Sequence, residues 1–131
     1  MSLLLDTQTL IWWREGSRKL GPRARAAIES GADAVRVSAA TAWEIAIKWR
    51  TGRLKLPEAP HRWVPAAVAS SGFDELLVTM EHAVAVAALP DHHPDPFDRL
   101  LIAQAQLEGL RIVTSDAAFD DYDVPLLDAR A

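Results

Sequence analysis

Four acidic residues, Asp6, Glu44, Asp98 and Asp116, stand where the sequence pattern can bring them together. Asp6 ends the apolar run Leu3-Leu4-Leu5, and Asp116 ends Arg111-Ile112-Val113-Thr114-Ser115. Both runs read as short strands, so both aspartates fall at carboxyl ends of strands. Glu44 lies in the second turn of a helix that follows Val35-Arg36-Val37-Ser38, and Asp98 in the first turn of a helix opening at Pro96. Carboxylates gathered this closely repel, and burial makes the repulsion worse. The sequence places no obvious cation to neutralise all four. A hard divalent ion with oxygen ligands does so, and Mg²⁺ or Mn²⁺ suits such a set. An ion of that kind lowers the pKa of a bound water and stabilises charge on a phosphoryl oxygen, which is the chemistry of phosphodiester hydrolysis. Thr114 and Ser115, just before Asp116, can orient a carboxylate or a water.

Simpler roles exist for each acid. Asp6, Asp95 and Asp116 fit as helix N-caps, each worth about 1 kcal/mol. Glu44 fits as a surface acid paired with Lys48 one turn on, worth roughly 0.3–0.5 kcal/mol. Asp98 fits as a first-turn acid favoured by the helix dipole. Capping, however, does not require the caps to converge on one rim. Nor does it require Asp98 to share a helix face with Leu101, Ile102 and Ala105, as its spacing implies, while Arg99 lies off that face. In Asp95-Pro96-Phe97-Asp98, then, Asp95 reads as the cap and Asp98 as the candidate ligand.

The elements that must carry these residues alternate. A strand at Leu3–Leu5 precedes a helix over TQTLIWWRE, and Gly21-Pro22 opens a helix from Arg23 to Ser30 closed by Gly31. A strand at Val35–Val37 leads through Ser38 into AATAWEIAIKWRT, which Gly52 ends. Further helices are expected over Trp63–Ala69, Glu81–Leu89 and Pro96–Glu108, and further strands over Glu75–Thr79, Arg111–Ser115 and Val124–Leu127. Such alternation implies a mostly parallel sheet flanked by helices, with ligands outside the carboxyl ends of the strands.

The remaining composition sets bounds. The 131 residues suit one domain, spanning 1–131, with a core of its own. There are no cysteines, which excludes disulfides and thiolate metal sites and fits a reducing compartment; the expected location is the cytoplasm. No apolar run is long enough for a membrane span. The net charge of −4 is uneven: residues 1–73 carry 11 Lys or Arg against 6 Asp or Glu, and residues 74–131 carry 3 against 12. One basic group holds Arg14, Arg18, Lys19, Arg23 and Arg25; another holds Lys48, Arg50, Arg53 and Lys55. Basic runs usually mean solvated helix faces. Beside an acidic centre they also suit a phosphate backbone, which makes Arg50 and Arg53 candidate RNA contacts. His92 and His93 read as loop residues that can touch substrate, His61 and His82 as surface residues. Trp12 and Trp13 cannot both face inward from one helix, which leaves one for a partner surface.

The fragments LLLDTQTLIWW, SAATAWEIAIKWRTGRLKL, DPFDRLLIAQAQLEGLRIVTSDAAF and VPLL together resemble PIN-domain proteins, and more narrowly toxins of the VapC type from bacterial toxin–antitoxin pairs. The resemblance covers nearly the whole chain. It implies an α/β/α sandwich and Mg²⁺- or Mn²⁺-dependent endoribonuclease activity, with the family's acidic quartet falling on Asp6, Glu44, Asp98 and Asp116. It also implies a homodimer silenced by a small antitoxin, for either of which the Trp-rich first helix offers a face. Two positions depart from the pattern: Gln8 stands where many relatives have His, and Pro94 where many have Arg. Neither belongs to the quartet. A catalytically silent RNA- or partner-binding module of the same fold is the alternative. Aspartyl phosphohydrolases and receiver domains fit poorly, because Asp6-Thr7-Gln8-Thr9 lacks the second acid and no later lysine is suitably placed.

Overall fold

The computed structural model describes all 131 residues. Five strands, β1 (Leu3–Leu5), β2 (Val35–Ser38), β3 (Asp74–Leu76), β4 (Arg111–Thr114) and β5 (Leu126–Asp128), form one sheet in the order β3-β2-β1-β4-β5. Every pairing is parallel. Helices α1 (Thr7–Glu15) and α2 (Pro22–Glu29) connect β1 to β2, and α3 (Ala39–Arg50) and α4 (Pro60–Ser70) connect β2 to β3. Helices α5 (Met80–Ala85) and α6 (Pro96–Glu108) then carry the chain back across to β4. The expected sheet flanked by helices is therefore present.

Side chains of a strand alternate between faces, and the core divides accordingly. Leu3, Leu5, Val35, Val37 and Val113 pack with Leu10, Ile11 and Trp12 of α1, Ala24 and Ile28 of α2, Ile45 of α3 and Trp63 of α4. Leu4 and Ile112 point the other way, into Leu101, Ile102 and Ala105 of α6 and into Phe119 and Tyr122. Burial on both faces is what allows the central strand β1 to be wholly apolar. No helix is long and apolar enough to cross a membrane.

Several boundaries differ from expectation. The third strand covers Asp74–Leu76 rather than Glu75–Thr79, because its partner β2 gives way to α3 at Ser38, the residue opposite Leu76. Leu77 and Val78 are left exposed. Helix α5 ends at Ala85 and tightens into a 3-10 turn over Val86–Ala88, short of Leu89. The Arg99 guanidinium takes the carbonyls of Val86, Leu89 and Pro90 and draws this segment in. Helix α4 opens at Pro60, where a missing N–H costs nothing.

Two readings of side-chain placement are corrected. His82 is buried, not a surface residue: Nδ1 accepts from the Thr79 N–H while the Thr79 hydroxyl accepts from the His82 N–H, a capping box at the start of α5, and Nε2 faces Glu108. Helix α1 offers no free tryptophan face. Trp12 is in the core, and Trp13 is half-buried against Phe73, with its indole N–H donating to Ser71. The exposed tryptophans are Trp43 and Trp49 of α3, the first packed edge-on against Phe97.

Candidate active site

In this strand order the connection direction reverses between β1 and β4, and open parallel sheets form their ligand crevice at such a reversal. The register pairs Leu5 with Val113, so Asp6 emerges beside Thr114. The Asp6 carboxylate does two things there. Its Oδ1 caps α1 by accepting from the Thr9 N–H at 2.9 Å, and its Oδ2 accepts from the Thr114 hydroxyl at 2.6 Å. Burial pushes the Asp6 pKa up, against the lowering effect of those hydrogen bonds. Thr114 also accepts from the Asp116 N–H, which ties the two rim aspartates through one hydroxyl. Asp116 caps the 3-10 turn Ala117–Asp121 through Oδ1, leaving Oδ2 toward the cleft mouth.

Helix α3 supplies Glu44, whose side chain is only 5% exposed. Ser38 starts this helix by accepting from the Ala40 N–H. Glu44 Oε1 accepts from the Thr7 hydroxyl, and Oε2 pairs with Lys48 one turn on. Helix α6 supplies Asp98. Asp95 caps it by accepting from the N–H groups of Phe97 and Asp98, with Pro96 in the first turn. Asp98 is pushed up to about 7, by burial first and then by the negative charges of Asp95, Asp6 and Glu44, while a hydrogen bond from His93 opposes the shift.

These groups line one cleft of about 290 Å³, walled by Asp6, Glu44, Asp98 and Asp116, by Asp95 and Ser115, and by Lys48 and Arg53. Of the other sequence candidates, Thr114 is buried beneath the cleft, where it holds Asp6. Arg50 is exposed at the end of α3 and does not line the cleft. A second and more apolar groove, between α3 and α4, carries no titratable cluster and lies apart from this chemistry.

Sequence reasoning did not single out two further groups of the site. Lys48, read as a partner for Glu44 and as one of a basic group suited to a phosphate backbone, lines the cleft itself. His93 sits with Nε2 2.8 Å from Asp98 Oδ2 and 3.7 Å from Asp116 Oδ2. No pattern distinguishes His93 from His92, because the packing that turns one inward comes from Tyr122 and Phe119, far along the chain. Lys48 pairs with Glu44 and His93 meets Asp98, and neither reaches Asp6, whose partners are Thr9 and Thr114. The donor set of crowded carboxylates, with Asp6 buried, Asp98 largely so and both raised in pKa, therefore fits a divalent cation.

A parallel α/β domain with an acidic cleft at its strand reversal defines the class. The chain belongs to the PIN domain family, whose sequence model matches residues 3–125. It is similar to "Ribonuclease VapC22" of Mycobacterium tuberculosis, with 32% identity over 95% of this chain and 94% of that one. Among solved structures it is similar to a toxin–antitoxin complex from Klebsiella pneumoniae, at TM-score 0.68 and 22% identity over 98% of each chain. It is similar too to VapBC2 from Rickettsia felis bound to a DNA fragment from its promoter, at TM-score 0.72 and 12% identity over 97% of this chain and 98% of that one.

Proposed function

We propose that this protein is a divalent-metal-dependent endoribonuclease, the toxin of a toxin–antitoxin pair, acting in the cytoplasm. One observation carries the nuclease reading: four carboxylates from β1, α3, α6 and the end of β4 converge on one cleft that also presents Lys48 and Arg53. The toxin role is supported by the similarity to a VapC ribonuclease and to toxin–antitoxin complexes.

Asp6, Asp98 and Asp116 would hold Mg²⁺ or Mn²⁺, and the bound ion supplies Lewis-acid charge for a phosphoryl oxygen and acidifies a water. The protein's own groups do the rest. The Thr114 hydroxyl fixes Asp6 by donating to it and, by accepting from the Asp116 N–H, the start of the Asp116 turn. Glu44, held on Thr7 and Lys48, orients the attacking water toward the phosphorus. Lys48, Arg53 and Ser115 receive the RNA backbone. In-line attack by water leaves a 5′-phosphate and a 3′-hydroxyl. An antitoxin or a second copy of the chain would cover the exposed apolar residues Leu77, Val78, Met80 and Val84 after β3 and on α5.

The test is cleavage of labelled structured RNA by the purified chain, with Mg²⁺, Mn²⁺ or EDTA, beside Asp98→Asn. The expected result is cutting that needs the metal and falls at least ~100-fold in the variant. Cutting that survives Asp98→Asn overturns the site. Tight RNA binding without cutting by the parent favours the silent binding module.

A further inference from the structure

His93 is aimed at two of the acids. The loop that carries it is clamped on both sides. The Tyr122 hydroxyl accepts from the backbone N–H groups of His92 and His93, at 3.2 and 2.9 Å, and donates to the Pro90 carbonyl. Arg99 Nη1 donates to that hydroxyl and to the Pro90 carbonyl. The His93 ring lies edge-on to Phe119, with centroids 6.1 Å apart, and its side chain is 13% exposed. Held in this way, Nε2 stands 2.8 Å from Asp98 Oδ2 and 3.7 Å from Asp116 Oδ2.

Those spacings match a shared ion. Ligand atoms bound at about 2.1 Å to one six-coordinate ion stand about 3 Å apart on adjacent vertices. Ligand atoms of His93, Asp98 and Asp116 all lie within 4.8 Å of one another. To ligate, the neutral ring must carry its proton on Nδ1, leaving the Nε2 lone pair free. Nδ1 has no protein partner, and it reaches solvent, since Thr41 Oγ1 is the only buried side-chain polar atom left unpartnered.

Resting on the metal-centre reading above, we infer that His93 Nε2 is a ligand of the divalent ion held by Asp98 and Asp116. The centre is then a mixed nitrogen–oxygen site rather than an all-carboxylate one. Imidazole favours borderline transition ions, whereas Mg²⁺ prefers oxygen donors and water. The site therefore prefers Co²⁺ to Mg²⁺ by more than carboxylates alone would give.

The test is direct binding to the metal-free protein, without RNA. Co²⁺ is titrated by its visible absorption and Mg²⁺ by calorimetry, for the parent, His93→Ala and His93→Gln. Gln places an amide near the Nε2 position, so it can keep the hydrogen bond to Asp98 while removing the imidazole. Melting curves of the metal-free variants confirm that each is folded. The expected result is a Co²⁺ affinity at least ~10-fold weaker in both variants, with Mg²⁺ affinity changed less than ~3-fold. Equal losses for both ions, or recovery of Co²⁺ affinity by Gln, would overturn the ligand role and leave His93 as a positioning residue for Asp98. A parent that binds neither ion would overturn the metal centre itself.

Discussion

Asp98 carries an electrostatic strain in the cleft, and the strain has a measurable sign. Its carboxyl is pushed from the ordinary 3.8 up to about 7, mainly by burial. Between these values the folded chain holds a proton that the unfolded chain has released. The metal-free protein therefore loses stability as pH rises through that window, and keeps it below. Asp6 is shifted in the same direction, also by burial. Asp98→Asn removes the charge while retaining an acceptor for His93. In EDTA at pH 8 the variant is expected to be more stable than the parent by about 2 kcal/mol, ~6–8 °C in melting temperature for a chain of this size. At pH 5 the gap should shrink. Millimolar Mg²⁺ at pH 8 should raise the parent and not the variant, because only a carboxylate rewards the ion. Thermal melts followed by circular dichroism check all three arms; a gap that does not change with pH refutes the shift. Among these residues, Asp98 was legible beforehand because a proline and a three-residue spacing separate the cap from the inward acid. His93 was not, because the contacts that select it over His92 are tertiary.

At the scale of elements, the cleft depends on how α3 and α6, which carry Glu44 and Asp98, are held against each other. A buried polar chain does this. The Ser38 hydroxyl, at the start of α3, donates to Gln104 Oε1 of α6 at 2.6 Å. Gln104 Nε2 donates to the Leu77 carbonyl and to His82 Nδ1 of α5, both at 3.3 Å. Gln104 is fully buried, and the stretch LLIAQA gives no hint of it, since a glutamine among apolar residues reads equally well as the edge of the wet face. His82 was hidden for the same reason: beyond the Thr79 cap of its own helix, its partners Gln104 and Glu108 lie on α6, far along the chain. The strand-to-acid junctions at Asp6 and Asp116 were legible because local sequence alone ends those strands. The end of β3 was not, because it is set by where β2 stops offering a partner. Gln104→Met keeps the volume but strands the Ser38 hydroxyl, the Leu77 carbonyl and part of the His82 contact. The expected cost is about 1–3 kcal/mol, seen as a lower urea midpoint with an unchanged slope. Ser38→Ala in the same background should add less than it does alone, since the two changes share one bond. Full additivity would show that the chain of bonds is not coupled.

At the scale of the molecule, a protein of net charge −4 must attract a polyanion to an acidic cleft, which a uniform charge distribution would forbid. The sequence avoids this by segregation. Residues 1–73 carry 11 Lys or Arg against 6 Asp or Glu, and that half supplies both cleft cations, Lys48 and Arg53. The acids of residues 74–131 give the cleft Asp95, Asp98 and Asp116. RNA that approaches from the Lys48–Arg53 side meets cations before carboxylates, so its affinity should depend on counterion release and fall steeply with salt. Arg53 and Arg50 separate a localised track from a diffuse field. If the backbone follows the cleft wall, Arg53→Ala should weaken every single-stranded RNA alike and reduce the slope of log affinity against log salt by about 0.7. Arg50→Ala, exposed and off the cleft lining, should change the slope by less than half as much. Fluorescence anisotropy in the Asp98→Asn background, between about 50 and 200 mM salt, measures binding without cleavage. Equal effects of the two substitutions would mean that the basic half acts only as a field, and that Arg53 makes no contact the sequence charge alone would not supply.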